Sequence, residues 1–129
     1  MSNIIATWEI KIIAMIEESM YIGISSHQDI EDGFVFNKEP NYGYRPNASI
    51  MSGHNGGRYG KGAEVNDIIK IEYNAGKQTL TYYKNNKSMG VAYRNIVKGK
   101  NIKYKLAVYM YWKNNAVSIL NYSEYILSN

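Results

Sequence analysis

A glycine-rich run over residues 53–62 is the first stretch that could do chemistry, because such runs can cradle phosphate groups. A phosphate-binding P-loop needs Gly, four further residues, and then Gly-Lys-Ser/Thr. Counting back from Gly60-Lys61 reaches Asn55 instead of glycine, and Gly62 stands where the hydroxyl residue belongs. A strand, not a helix, is predicted after the run, so no helix N-terminus is available for an anion. The run is predicted to be a surface loop.

The two histidines are the next candidates, as metal ligands or catalytic bases. His27 and His54 lie on separate predicted loops without metal-ligand spacing, and the chain has no Cys to complete a tetrahedral site. Ser25 or Ser26, together with His27 and Asp29, supplies the three residue types of a catalytic triad. Triad members usually converge from separate elements, so neighbours on one loop seldom reach the required geometry. We predict no metal site and no catalytic residue, so the chain is not expected to be an enzyme.

Carboxylates occur in two adjacent pairs and once alone. Glu17-Glu18 and Glu31-Asp32 could pair for glycoside hydrolysis, but side by side in polar turns they are read as exposed charges. Asp67 stands alone at a strand start, where a carboxylate can accept hydrogen bonds from turn N–H groups. Its predicted role is structural.

An aromatic run, Tyr109-Met110-Tyr111-Trp112-Lys113-Asn114, carries more functional weight. Tyr and Trp give large contact area at low entropic cost, and interfaces use them as anchors. The alternative is that Met110 and Trp112 belong to the core, which leaves only Tyr109 and Tyr111 facing outward. Both readings stay open at the level of the sequence.

Bulk composition limits the classes of function. At 129 residues the chain is expected to be one domain, with 45% hydrophobic and 20% charged residues, as in ordinary globular proteins. The net charge of +4 comes from scattered lysines, so no nucleic-acid partner is predicted. No signal peptide and no run of about 20 apolar residues is evident, so no membrane association is expected. A cytoplasmic location is predicted, with the nucleus left open.

Alternation of apolar and polar residues predicts the elements that must position these side chains. Residues 64–95 read as three strands chained by tight turns, with Asn74-Ala75-Gly76-Lys77 and Asn85-Asn86 supplying turn chemistry. Residues 7–16 and 20–25 are predicted to form a hairpin, in which Gly23 marks the close approach of another backbone.

Further short strands are predicted on either side of that meander. They cover residues 34–36, 42–45, 49–51, 103–112 and 116–122, and residues 123–129 are read as a tail. Many short strands with polar turns and no convincing helix predict an all-β antiparallel sandwich.

The order of motifs resembles the SPRY domain family. Its most specific part, an aromatic-Tyr-Lys-Asn-Gly turn followed by Gly-x-Ala-Phe, matches Tyr82-Tyr83-Lys84-Asn85-Asn86 and Gly90-Val91-Ala92-Tyr93. Three further strand motifs of the family match Trp8-Glu9-Ile10, Tyr21-Ile22-Gly23-Ile24 and Asn66-Asp67-Ile68-Ile69. The Tyr-Gly element before the third matches Tyr59-Gly60, and the two closing strands match residues 104–111 and 117–122.

Three departures from the family pattern are visible. Asn66 and Asn86 replace glycines, and Asn is the non-Gly residue best suited to the left-handed conformation, so both turns should survive. Family members commonly carry strands before the first Trp motif, whereas almost nothing precedes Trp8 here. Three explanations are open. The chain is a minimal SPRY-like domain over residues 1–129 with its core at about 7–122, or it is a piece of a longer protein, or another chain completes one edge of its sheet.

The resemblance implies a bent two-sheet β-sandwich of the concanavalin-like jelly-roll type, no cofactor, and a non-catalytic role in binding a protein or peptide. Family members often recognise substrates within ubiquitin-ligase assemblies, through loops on one side of the sandwich. A monomer is expected. Carried over to this chain, the resemblance implies nine partner-binding residues: Tyr42, Tyr44, Arg45, Arg58, Tyr59, Tyr109, Tyr111, Trp112 and Asn114.

A carbohydrate-binding domain is the alternative from another class. Lectin sandwiches share this architecture and use exposed Tyr, Trp and Asn, although this sequence lacks an obvious carboxylate cluster for Ca²⁺.

Overall fold

The structure is a computed structural model that describes residues 4–26, 35–38, 40–99 and 102–127. In these residues ten strands account for nearly all the regular structure, and a single 3₁₀ turn spans Val35–Asn37. The strands are β1 (Ile4–Ala14), β2 (Met20–Ser25), β3 (Asn41–Arg45), β4 (Ser49–Ser52), β5 (Asn55–Arg58), β6 (Ile68–Asn74), β7 (Thr79–Lys84), β8 (Lys87–Tyr93), β9 (Lys105–Met110) and β10 (Ala116–Ile126). Within the described residues, no helix is long and apolar enough to cross a membrane.

The strands form two antiparallel five-stranded sheets, which confirms the predicted all-β sandwich. Sheet A has the order β10-β1-β6-β7-β8, and sheet B has the order β5-β4-β3-β2-β9. Side chains alternate between the two faces of a strand, so each sheet turns one apolar face inward. Trp8, Ile10 and Ile12 of β1 are buried on the inner face of sheet A. Across the core they face the inner side of sheet B.

The core is unusually rich in tyrosine. Tyr44 and Tyr82 are fully buried, with ring centroids 5.2 Å apart. The Tyr82 hydroxyl donates a hydrogen bond to the carbonyl oxygen of Ile22 at 2.9 Å, which ties sheet A to sheet B through the core. A buried phenol is tolerated only when its polar end finds such a partner. Tyrosine therefore supplies both packing volume and cross-sheet hydrogen bonds.

The predicted hairpin of β1 with β2 is wrong. β1 pairs with β10 and β6, whereas β2 pairs with β3 and β9. Glu17 lies in the connection with a φ of 54°, and there the chain crosses from one sheet to the other. Because both strands carry a fully apolar face, placing them in opposite sheets lets those faces bury each other.

Three other predictions need correction. The segment 34–36 is not a strand where the structure describes it, because Phe36 is buried in the 3₁₀ turn and packs over Gly43. Part of the glycine-rich run is not a loop but strand β5, which pairs with β4. Residues 123–126 are not a tail, because β1 begins early enough to pair Ile4 with Ile126.

The meander over β6, β7 and β8 forms as predicted. Asn66, Asn85 and Asn86 all have positive φ, so asparagine supplies the left-handed conformation that glycine would otherwise provide. The structural role of Asp67 is also confirmed. Its carboxylate accepts hydrogen bonds from the Glu64 N–H at 2.8 Å and from the Asn85 side chain at 2.9 Å.

Candidate functional site

A pocket of about 400 Å³ opens on the outer face of sheet B. It lies where the turn between β1 and β2 meets the turn between β9 and β10, over the ends of β2, β3 and β9. Four of its seven lining residues are aromatic and two are charged. The lining residues are Glu17, Ser19, Tyr21, Arg45, Tyr109, Tyr111 and Trp112. We call this site the aromatic pocket.

The floor of the aromatic pocket is a row of three side chains on adjacent strands. Tyr21 of β2 lies directly opposite Tyr109 of β9. The register of β2 with β3 pairs Ile22 with Tyr44, so Arg45 continues the row on the other side of Tyr21. Since Ile22 and Tyr44 are buried in the core, alternation turns their neighbours outward. Strand pairing thus fixes the spacing of this row.

Arg45 is held in place by two contacts. Its Nε donates a hydrogen bond to the carbonyl oxygen of Glu18 at 2.6 Å, and its guanidinium carbon lies 5.7 Å from the centroid of the Tyr21 ring. The second contact is within the range of a cation–π interaction. In the described part of the chain, the terminal nitrogens of Arg45 have no hydrogen-bond partner. The Arg45 guanidinium is therefore oriented in the pocket, and its terminal N–H groups are available as hydrogen-bond donors to a ligand.

Tyr111 and Trp112 form the exposed rim of the pocket. Tyr111 is 66% exposed and Trp112 is 48% exposed, and their rings meet edge to face with centroids 5.1 Å apart. Both follow β9 in the turn that leads to β10. Of the two sequence-level readings, the surface one holds for Trp112, and Met110 is also 40% exposed. Two large rings held against each other at the surface are suited to contact with a ligand.

The side chain of Asn115 connects, through hydrogen bonds, the two turns that form the aromatic pocket. Its Oδ1 accepts a hydrogen bond from the Ile16 N–H at 2.9 Å, and its Nδ2 donates to the carbonyl oxygen and the hydroxyl of Ser19 at 3.0 and 2.9 Å. The Tyr111 N–H also donates to the Ser19 carbonyl oxygen, at 2.9 Å. Asn115 is buried, and its bonds to Ile16 and Ser19 are partly shielded from water. The rim residues are thereby fixed relative to the floor.

The structure brings four of the nine predicted binding residues together. Arg45, Tyr109, Tyr111 and Trp112 all line the aromatic pocket. Arg58 and Asn114 are exposed but are not among its lining residues.

The other three predicted residues are placed differently, and two need correction. Tyr42 and Tyr44 are buried on the inner face of sheet B, so neither side chain can form a contact surface. The physical reason is alternation, since both share the face of β3 that packs on sheet A. Tyr59 is half-buried, packs edge-on against Tyr44 and Tyr82, and donates its hydroxyl to the Gly90 carbonyl oxygen at 2.5 Å.

Burial raises the pKa values of these core phenols. Desolvation is the main cause for Tyr44, with a smaller contribution from the negative charge of Asp67. Desolvation likewise raises the pKa of Tyr59, partly offset by its hydrogen bond with the Tyr82 N–H. The pKa of fully buried Tyr82 is raised well above its ordinary value. These phenols therefore stay protonated and act as structural hydrogen-bond donors.

The remaining chemical candidates do not assemble into a site. Among the residues that the structure describes, no three His, Cys, Asp or Glu side chains come together as a metal-binding group. His54 is exposed at the tip of the turn between β4 and β5. His27, Asp29 and the pair Glu31-Asp32 lie outside the described residues, so the structure does not test the triad or that carboxylate pair.

Sequence reasoning missed Ser19, Tyr21 and Asn115. Alternation with buried Met20 and Ile22 already indicated that Tyr21 faces outward, but nothing local connected it to β9. Asn115 bonds to residues 96 and 99 positions away in the chain. No local pattern encodes contacts of that length. Glu17, which sequence reasoning treated as a solvated charge, is indeed exposed and also lines the pocket.

Comparison with known proteins identifies the fold and the family. The crystal structure of the SPRY domain of human HERC1 superposes with a TM-score of 0.69 at 15% identity, covering 92% of this chain and 76% of that one. A second human SPRY domain gives a TM-score of 0.73 at 15% identity, covering 88% of this chain and 74% of that one. No curated protein matches the sequence. The family model for the SPRY domain matches residues 5–122. The chain therefore belongs to the SPRY domain family, whose members generally serve as protein–protein interaction modules.

Proposed function

We propose that this SPRY domain binds a short peptide or an exposed loop of a partner protein in the aromatic pocket. The observation that carries the proposal is the exposed pair of Tyr111 and Trp112 beside the oriented guanidinium of Arg45. Rings and guanidinium groups of this kind are the side chains most enriched among residues that dominate binding energy. Strand pairing fixes the backbone at Arg45, and Asn115 helps to hold the turn that carries Tyr111 and Trp112, so little backbone entropy is lost when a ligand binds.

The dimensions and charges of the pocket favour a short segment as the ligand. Its volume of about 400 Å³ lies near the lower end of the range for ligand pockets, roughly 300–1,000 Å³. An apolar side chain of the partner would pack against the exposed faces of the two rim rings. The spare donors of Arg45 would bind a carbonyl or carboxylate oxygen of the partner, and the Glu17 carboxylate would attract a basic or N–H group. The two opposite charges would thus fix the direction in which the peptide lies.

The wider role we propose is recognition of a substrate within a ubiquitin-ligase or signalling assembly. The motif-level resemblance described above supports that role. We prefer a protein ligand to the lectin-like alternative because SPRY domains generally bind proteins.

The test is a selection of peptides from a displayed random library on the wild-type domain, followed by affinity measurements with synthetic copies of the selected sequences. Trp112→Ala, Tyr111→Ala and Arg45→Ala should each weaken binding by about tenfold or more, equivalent to about 1.4 kcal/mol. Arg58→Ala is the matched control, because Arg58 is an exposed arginine that lies outside the pocket.

Two results would contradict the proposal. One is a set of selected peptides that bind every pocket variant as tightly as wild type while circular dichroism shows all variants folded. The other is a glycan array that gives binding dependent on Trp112 while the peptide selection yields nothing, since that outcome favours the lectin-like alternative.

A further inference from the structure

The edge strand β10 exposes an apolar surface that the aromatic pocket does not use. Six large apolar side chains over residues 119–127 are each at least 44% exposed, and Ile126 reaches 74%. They are Ile119, Leu120, Tyr122, Tyr125, Ile126 and Leu127. Successive side chains of a strand point to opposite faces of a sheet, so these residues flank the outer edge of β10 on both faces; Tyr122 lies on the face of Trp8 and Tyr125 on the other. Exposed apolar side chains gathered along one edge mark an interaction surface. Among the strands that the structure describes, β10 pairs with β1 alone, so its other side presents backbone groups that no described strand pairs.

The other three edge strands of the two described sheets have features that disfavour pairing with a further strand, and β10 has fewer such features. β5 has only four residues, and β8 is interrupted by Gly90 with a φ of 90°. β9 has six residues and begins with Lys105. β10 runs for eleven residues with neither proline nor glycine and with a single charge, at Glu124. Short strands, charges and bulges are how proteins protect their edges, and in β10 the one bulge lies at Leu120.

The sequence of this edge is nearly self-complementary when it runs antiparallel to itself. Residues 119–127 read Ile-Leu-Asn-Tyr-Ser-Glu-Tyr-Ile-Leu, with Ser123 at the centre. A two-fold axis at Ser123 pairs Ile119 with Leu127 and Leu120 with Ile126 of a second copy. The same register pairs Glu124 with Tyr122, whose hydroxyl already donates to that carboxylate within one chain at 2.5 Å. Four apolar residues therefore meet apolar partners, Tyr125 lies opposite Asn121, and no two carboxylates lie opposite each other.

We propose that β10 pairs with β10 of a second copy of this chain, so that two copies of sheet A join into one ten-stranded sheet. A two-fold contact is closed, because each copy uses the same edge and leaves no second site for further addition. Pairing along one strand edge leaves part of these side chains in solvent on both faces, so the contact buries less than the roughly 800 Å² per partner of a standard stable interface. The dimer should therefore be reversible. The proposed dimer differs from the monomer expected from the sequence.

Sedimentation velocity between roughly 5 and 200 μM tests the proposal directly, because a reversible dimer dissociates on dilution through this range. Ile126→Lys should raise the dimer dissociation constant by about tenfold or more, since it places a charge in the apolar pair with Leu120. Val91→Lys is the control, because Val91 is an exposed apolar residue on the opposite edge strand of the same sheet. A wild-type chain that stays monomeric at the highest concentration overturns the proposal, as does a dimer that Ile126→Lys leaves intact.

Disulfide trapping tests the register in a way that does not depend on the lysine variants folding. The chain has no cysteine, so a single introduced cysteine reports only on its own position. Directly opposed residues of antiparallel strands have Cα atoms about 4.5–5.5 Å apart, which is within disulfide range. Ser123→Cys should form a covalent dimer under mild oxidation. Ser118→Cys should not, because in this register its two copies lie roughly 33 Å apart. Equal cross-linking at both positions would refute the register and the proposed interface.

Discussion

Replacing Asn115 by alanine is the sharpest test of how the aromatic pocket is built. The change removes three hydrogen bonds at once: the bond that Oδ1 accepts from Ile16 N–H and the two that Nδ2 donates to Ser19. Each intramolecular hydrogen bond contributes about 0.5–1.5 kcal/mol net, and an unsatisfied buried partner adds to the loss. The Ser19 carbonyl oxygen keeps its bond from the Tyr111 N–H, which limits that second effect. We expect the free energy of unfolding to fall by about 2–3 kcal/mol.

Urea denaturation followed by tryptophan fluorescence measures this loss, and a thermal melt should show the midpoint lower by roughly 10 °C. Asn114→Ala is the matched control, because the neighbouring asparagine is exposed and should change stability by less than about 0.5 kcal/mol. Peptide affinity should also fall in Asn115→Ala under conditions where the protein is still folded, since the rim is no longer fastened to the floor. If the two alanine variants have equal stability, the fastening role assigned to Asn115 is wrong.

Two further predictions concern the scaffold. Gly23→Ala should lower the free energy of unfolding by about 4 kcal/mol or prevent folding, because the new Cβ would overlap the backbone carbonyl oxygen of Tyr42 on the paired strand. The control is Gly57→Ala, whose Cβ meets no atom within 4 Å and which should leave the urea midpoint almost unchanged. The pKa values of Tyr44 and Tyr82 are raised in the folded state, so the unfolded chain releases these protons first as pH rises. The free energy of unfolding should therefore fall above about pH 10, by about 1.4 kcal/mol per pH unit for each of the two tyrosines. Urea midpoints between about pH 9 and pH 11 measure the slope, and a flat profile would contradict the burial of these phenols.

The parts of the fold that sequence predicted well are those fixed by local chemistry. The meander was predictable because each turn is closed within a few residues and asparagine supplies positive φ at Asn85 and Asn86. Gly23 was predictable for a related reason, since a glycine inside an apolar strand signals close backbone approach. Its Cβ position is occupied by the neighbouring strand, as expected.

The parts that sequence reasoning missed depend on which strands become neighbours. Alternation shows that β1 and β2 each have an apolar face, but the same pattern fits a hairpin in one sheet or two strands in opposite sheets. The length of β10 was missed because its side chains beyond Tyr122 are exposed, so only pairing with β1 identifies residues 123–126 as strand. Tyr42 and Tyr44 were misjudged because a tyrosine can serve the core as well as a surface, and alternation alone does not say which face is covered.

The aromatic pocket and the β10 edge are joined by one short turn, yet the two proposals can fail independently. In the proposed dimer the two-fold axis passes through Ser123, seven residues from the start of β10 at Ala116. At about 3.3 Å per residue the two copies of Ala116 lie roughly 45 Å apart, so the two pockets open toward opposite ends of the joined sheet. A single short peptide cannot span both pockets, so its affinity should be the same for monomer and dimer. A partner that displays two copies of the recognised segment at matching spacing would bind the dimer more tightly through higher effective concentration. Dimerisation through β10 would then change the choice of partner without altering any contact inside the pocket.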